Sequence, residues 1–102
     1  MTSLSTHVLD TGNGRPAAGV AVSLHRGDEE LASASTDGDG RARLADGRAR
    51  LGEELDPGVY RLVFHPPSPF FKRVELEVDL AEGHYHVPLL VSPYSCASYR
   101  GS

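Results

Sequence analysis

The sequence predicts an all-β protein: an antiparallel β-sandwich of about seven or eight short strands, forming a single domain over residues 1–102. Three observations lead to this prediction. Apolar and polar residues alternate over several short stretches, which is the period of a half-buried strand. Eleven glycines and seven prolines separate those stretches as turns. No long stretch has the apolar spacing of a helix.

The strand with the clearest alternation is 71–80, where valine and leucine at 74, 76, 78 and 80 face inward and the acidic residues between them face outward. Further strands are expected at 4–10, 18–25, 31–36, 59–65 and 84–91. Asp37-Gly-Asp-Gly40 is the strongest turn signal, because glycine adopts a positive φ without a Cβ clash. A single helical turn is expected at 51–55, ended by Asp56-Pro-Gly58.

The C-terminal nineteen residues carry the densest chemistry. His84 and His86 share one face of their strand, because side chains alternate with period two. Ser92-Pro93 predicts a turn, and a returning strand would bring Tyr99, Arg100 and Ser102 back to the same place. A zinc site is one interpretation of the histidine pair. No second pair of Cys or His with ligand spacing accompanies it, so no metal is expected.

Composition excludes several classes of function. With a net charge of −4, nothing suggests a nucleic-acid partner, and none is expected. No apolar run approaches the ~20 residues that span a bilayer, and no secretory signal precedes the first strand. A single cysteine, Cys96, rules out an intramolecular disulfide and is expected to be a small buried apolar residue. These features lead us to expect a cytoplasmic protein.

Six blocks of the chain, taken in order, resemble one known family: Thr6-His-Val-Leu-Asp10, Gly14-Arg-Pro-Ala-Ala-Gly-Val20, Thr36-Asp-Gly-Asp-Gly-Arg41, Gly58-Val-Tyr-Arg-Leu-Val-Phe64, His84-Tyr-His-Val-Pro-Leu-Leu-Val-Ser-Pro93 and Tyr99-Arg-Gly-Ser102. The sequence is similar to the 5-hydroxyisourate hydrolases, the transthyretin-related enzymes of urate degradation. The closing Tyr-Arg-Gly-Ser is the most specific block, because it separates these hydrolases from true transthyretin. The resemblance implies a transthyretin-like sandwich and a homotetramer with substrate sites in the channel where two dimers meet.

The same resemblance implies hydrolytic opening of a cyclic amide in 5-hydroxyisourate, without metal or organic cofactor. The implied catalytic residues are His7, Arg41, His86 and Ser102. The implied substrate-binding residues are His7, Arg41, Tyr99 and Arg100. A neutral imidazole suits the general base that water requires, and a guanidinium suits the developing oxyanion. Which histidine is the base stays open at this point.

The sequence departs from the family pattern in three places. Between Phe64 and Phe71 only six residues remain, so the short helix of the family is expected to be missing. Cys96-Ala-Ser98 replaces the usual Tyr-Ser-Thr. The motif Asp39-Gly-Arg-Ala-Arg-Leu44 recurs at 46–51, which makes Arg48 a rival to Arg41. We favour Arg41, because the longer Thr36-Asp-Gly-Asp-Gly-Arg block precedes it.

A binding module is the alternative function: a transthyretin-like carrier that holds a small apolar or aromatic ligand in its central channel. A carrier's channel should be apolar, whereas this chain offers His7, Arg41, His86 and Tyr-Arg-Gly-Ser. Polar channel residues therefore favour the hydrolase.

Overall fold

The computed structural model describes residues 2–42 and 50–101. Those residues contain eleven β-strands and no helix. The strands are β1 (Thr2–Ser5), β2 (Val8–Asp10), β3 (Arg15–Pro16), β4 (Ala21–Arg26), β5 (Glu29–Ser35), β6 (Gly52–Leu55), β7 (Gly58–His65), β8 (Val74–Leu80), β9 (Gly83–His86), β10 (Leu89–Ser92) and β11 (Ser95–Ser98). The all-β prediction is confirmed.

One layer of the sandwich is a regular antiparallel sheet in the order β5-β4-β7-β8. The other layer consists of two sheets, β6-β1-β9 and β11-β10-β2-β3. In this layer β1 pairs with β9, and β2 with β10, in parallel. The sandwich is therefore antiparallel except along this central pair of segments.

The two sheets of the second layer are joined along their central strands, β1 with β9 and β2 with β10, which follow one another along the same two segments of chain. Hydrogen bonds cross the interruption between the two sheets, from the amide of Val87 to the carbonyl oxygen of Ser5 and from the amide of Leu89 to that of His7, both at 2.9 Å. Pro88 lies between these two donors. Its missing N–H costs no hydrogen bond to the neighbouring segment, because the amides of Val87 and Leu89 make the bonds on either side of it. We call 2–10 together with 83–92 the central ribbon. Because each of its two segments is interrupted, two strands are added to the expected number, and the two-residue β3 and the unexpected β6 add two more.

The core lies between the two layers. It contains Tyr60, Leu62 and Phe64 from β7 and alternate residues of the central ribbon, among them Leu4 and Leu89, all of them almost fully buried. The alternation expected on β8 is confirmed, with half-buried Val74, Leu76 and Val78 between exposed acidic residues. Burial of apolar area at about 25 cal/mol per Å² is the main stabilising term for such a core.

The helical turn expected at 51–55 is wrong, because these residues instead form β6, which pairs with β1. The amide of Leu51 donates to the carbonyl oxygen of Leu4 at 2.8 Å, so β1 supplies the backbone partners that a helix would have supplied internally. Glu54 has a φ of 54°, a left-handed conformation beside the irregular register of this pair.

The shortened connection between β7 and β8 contains no helix, as expected. It is held by Ser68, whose hydroxyl donates to the carbonyl oxygen of Pro93 at 2.9 Å and accepts from the amides of Phe70 and Phe71 at 3.1 and 2.9 Å. Within the described residues, no helix could span a membrane.

Candidate active site

The central ribbon has a polar outer face, opposite the core. Ser3, Ser5 and His7 lie on this face, because they alternate with buried Leu4, Thr6 and Val8. On the neighbouring segment His84 and His86 lie on the same face, since Ser3 pairs with His84 and Ser5 with His86. The predicted sharing of one face by the two C-terminal histidines is confirmed.

His7 and His86 face each other across the ribbon, with their ring centroids 6.4 Å apart and the planes tilted by 43°. The Nε2 of His7 lies 2.6 Å from the carbonyl oxygen of Asp39. A carbonyl oxygen only accepts hydrogen bonds, so this nitrogen carries the hydrogen. The Nδ1 of neutral His7 is therefore a lone-pair nitrogen.

Arg41 reaches this face through a tight loop. His7 and Arg41 form an isolated antiparallel bridge. The carboxylate of Asp37 accepts from the amides of Asp39 and Arg41 at 2.9 and 3.1 Å, and the amide of Asp37 donates to the carbonyl oxygen of Arg41 at 2.9 Å. This is the local hydrogen bonding for which aspartate is favoured at turns.

Gly40 lets the loop approach the ribbon closely. Its φ is +79°, and a Cβ there would meet the carbonyl oxygen of Val8 and come within 3.1 Å of Cδ2 of His7. Its own carbonyl oxygen accepts from the amide of Val8 at 2.7 Å. A residue with a side chain at this position would move the loop away from His7.

The hydroxyl of Ser5 lies between the two C-terminal histidines, 3.0 Å from Nε2 of His84 and 2.8 Å from Nδ1 of His86. Burial lowers the pKa of His86, and the charges of Arg41, His7 and His84 lower this pKa further. The pKa of His84 is lowered by burial and by the charge of Arg50. Both imidazoles are therefore neutral near pH 7.

The chain end packs against His86. Gly101 forms an isolated bridge with His86 and donates its amide to the carbonyl oxygen of that residue at 2.6 Å. A Cβ on Gly101 would come within 3.0 Å of Cδ2 of His86, so glycine at this position leaves room for the ring. Ser102 lies outside the described residues.

Arg100 is not brought to the histidines. Its guanidinium lies 4.3 Å from the ring centroid of Tyr85, a cation–π contact. Tyr85 lies on the opposite face of β9 from His84 and His86. Tyr99, 58% exposed, lines the same cavity of about 440 Å³ as Arg100, beside β8.

The other candidates from the sequence are Arg48, the rival of Arg41, and three residues for which no role was expected, Cys96, His65 and His25. Arg48 lies outside the described residues. Cys96 packs against the core, and burial raises the pKa of its thiol, which disfavours a nucleophilic thiolate. His65 is exposed, and His25 is hydrogen-bonded to Ser23. Across 2–42 and 50–101, no group of three or more His, Cys, Asp or Glu side chains could hold a metal ion.

Three contributors to the site were missed by sequence reasoning: Ser5, Asp37 and Gly40. The turn around Asp37 and Gly40 was identified, but its approach to His7 was not. Ser5 gives no signal of its own, because a single serine within a short strand is ordinary. It could have been found only from the parallel register that places it opposite His86.

A family model described as "HIUase/Transthyretin family" matches residues 4–101. The chain belongs to this family. It is 42% identical to the 5-hydroxyisourate hydrolase of Caulobacter vibrioides over 120 aligned positions that include 100% of both chains. That alignment is longer than this 102-residue chain, in keeping with a deletion relative to the family.

Solved structures of this family superpose closely. The 5-hydroxyisourate hydrolase of Klebsiella pneumoniae has a TM-score of 0.86 and 36% identity, covering 100% of both chains. Sea bream transthyretin in complex with thyroxine has a TM-score of 0.81 and 28% identity, covering 97% of this chain and 94% of that one. The chain is therefore similar both to an enzyme and to a protein that binds thyroxine.

Proposed function

We propose that this protein hydrolyses 5-hydroxyisourate, opening its cyclic amide to the ureido-imidazoline carboxylate in urate degradation. The observation that carries the proposal is the pairing of His7 with His86, rings 6.4 Å apart, with Arg41 bridged to His7 and near enough for its charge to lower the pKa of His86. The similarity to the Caulobacter and Klebsiella hydrolases supports the same substrate.

The proposed reaction begins with water held between the two imidazoles. Its oxygen bonds to the amide carbonyl carbon while one neutral imidazole takes the proton. The carbonyl oxygen becomes an oxyanion, which the Arg41 guanidinium stabilises. The carbon–nitrogen bond then breaks as the imidazolium gives its proton to the leaving ring nitrogen, and the carboxylic acid that results loses a proton to become the carboxylate.

The lowered pKa of His86 supports this mechanism, because an imidazole that is neutral near pH 7 can accept or donate a hydrogen bond without first losing a proton. The loop that carries Arg41 is fixed by Asp37 and Gly40, so little reorganisation is needed when charge develops. Tyr99 stays a proposed contact of the substrate. Ser102 stays a proposed contact of an imidazole.

We further propose a homotetramer in which the polar face of the central ribbon lines a channel between two dimers. A carrier without catalysis is the second function to test, because sea bream transthyretin has the same fold. An apolar ligand is poorly matched to a face that carries imidazoles and a guanidinium, since burying unpaired polar groups costs free energy.

The test is the decay of freshly generated 5-hydroxyisourate, followed by ultraviolet absorbance with and without protein at equal pH and buffer. We expect clear acceleration over the spontaneous rate, lost in His86→Ala and retained in His65→Ala, a matched change of an exposed histidine outside the site. No acceleration by the folded wild-type protein would reject the proposal and favour the carrier.

A further inference from the structure

Five side chains of the polar face form a continuous series of hydrogen bonds, which we call the serine–histidine chain. Arg50 Nη1 donates to Ser3 Oγ at 2.8 Å, and Ser3 Oγ lies 2.6 Å from His84 Nδ1. His84 Nε2 lies 3.0 Å from Ser5 Oγ, which lies 2.8 Å from His86 Nδ1. The series begins at a guanidinium and ends on a ring nitrogen of the proposed active site.

The direction of the series follows from giving every donor in it an acceptor. A guanidinium only donates hydrogen bonds, so Ser3 accepts from Arg50, and the hydroxyl hydrogen of Ser3 has His84 Nδ1 as its acceptor among the described residues. Neutral His84 then carries its hydrogen on Nε2 and donates it to Ser5. Ser5 in turn has one hydrogen, which goes to Nδ1 of His86.

The part of the series from His84 through Ser5 to His86 keeps its direction in both charge states of His84. If His84 is protonated, both of its nitrogens donate, and Ser5 still accepts from Nε2 and donates to His86. The lowered pKa of His84 means that the neutral form dominates near pH 7. In either case the hydrogen of neutral His86 lies on Nε2.

We infer that Arg50, Ser3, His84 and Ser5 are positioning residues that hold His86 in the single tautomer with a hydrogen on Nε2 and a lone pair on Nδ1. No other hydrogen bond engages this Nε2 among the described residues. His86 Nε2–H is then a hydrogen-bond donor toward the substrate. The catalytic consequence rests on the proposed function, but the tautomer itself does not.

The inference also divides the roles of the two histidines. Because Nδ1 of His86 is occupied by Ser5 and Nε2 carries a hydrogen, neutral His86 has no lone pair free for a proton from water. His7 is the same tautomer but is engaged at its other nitrogen: its Nε2–H is donated to Asp39, and its Nδ1 lone pair is unoccupied by the described residues. His7 therefore takes the proton of the attacking water on Nδ1, while His86 donates a hydrogen bond to the substrate.

The direct test is the tautomer of His86 in protein labelled with ¹⁵N, read from long-range proton–nitrogen correlations at pH 8 and assigned with His86→Gln. We expect a protonated Nε2 and an unprotonated Nδ1 for His86, and the same for His84. A hydrogen on Nδ1 of His86, or comparable populations of both tautomers, would overturn the inference. This readout needs no enzymatic activity.

The positioning role is tested with Ser5→Ala, with Ser5→Thr as the variant that keeps the hydroxyl. The matched control is Ser92→Ala on β10, which removes a hydroxyl bonded to the carbonyl oxygen of Ser95 instead of to an imidazole. Partners that orient an imidazole are worth about 10- to 100-fold in activity at metal sites, and we expect a loss of this order in kcat, with KM little changed, for Ser5→Ala.

We also expect His86 of Ser5→Ala to populate both tautomers, and Ser5→Thr to restore a single one. Unchanged kcat in folded Ser5→Ala would reject the positioning role while leaving the hydrolase proposal intact. An inactive wild-type protein with the expected tautomer would instead reject the proposed function and leave the hydrogen-bond direction established. Should Ser5→Ala fail to fold, the wild-type tautomer still decides.

Discussion

The two faces of the central ribbon differ in character, although they share one backbone. Leu4, Val8, Leu89 and Val91 point inward and are almost fully buried. Ser5, His7 and His86 alternate with them and form the polar face. The same period of two that builds the core therefore also builds the candidate site.

This difference suggests a division of labour along each strand, in which inward residues stabilise the fold and outward residues serve the reaction. An inward side chain contributes by burial of apolar area, whereas an outward imidazole gains little from packing. Exchanging outward residues should therefore change the reaction more than the fold, and exchanging inward residues should do the opposite.

His7→Gln is expected to lower kcat by about 10²- to 10⁴-fold, because it removes the proposed general base. His86→Gln should retain more activity, since an amide N–H can still donate to the substrate. Initial rates measured above spontaneous decay check this, with His65→Gln as the control for loss of a histidine. Equal losses in the two site variants would contradict the assigned roles, and a large loss of stability in either would contradict the separation of the faces.

Arg41→Ala is expected to lower kcat by about 10²- to 10³-fold, the usual effect of losing one oxyanion donor. Arg100→Ala is the matched control, because this guanidinium stacks on Tyr85 on the other face. We expect it to retain most of kcat. Equal losses of kcat in the two variants would contradict the assignment of the oxyanion role to Arg41 and not to Arg100.

Leu89→Ala is expected to lower the free energy of unfolding by about 2–5 kcal/mol, because the side chain is 1% exposed and its removal leaves a cavity. Leu90→Ala changes the adjacent residue on the opposite, half-buried face and should cost less than half as much. Urea unfolding of the two variants makes the comparison. Equal costs would show that the outer face is also packed as core.

The smallest expected effect is on the pH dependence of stability. The folded-state pKa values of His84 and His86 lie below 6.5, so the unfolded chain binds more protons as the pH falls below about 6.5. The free energy of unfolding should therefore decline between pH 6.5 and 5.5. The double variant His84→Gln, His86→Gln should show a weaker decline when urea unfolding is measured at each pH. An equal decline in the double variant and the wild type would contradict the assignment of the effect to these two histidines.

Much of the architecture could be predicted from the sequence, because alternation is a local property. The strands at 59–65 and 71–80 were expected, and they appear as β7 and β8. The expected helical turn at 51–55 was wrong, because a short segment has no strong local preference and β1 supplied its partners. The family resemblance was likewise readable from short blocks in order.

The sequence by itself determined that His84 and His86 share a face, that the chain forms a β-sandwich, and which family it belongs to. Only the tertiary structure decided that Ser5 bonds to His86, 81 residues away along the chain, and that Arg100 lies with Tyr85. The physical reason is register. Alternation fixes which way each side chain points, but packing of distant segments fixes which side chains meet.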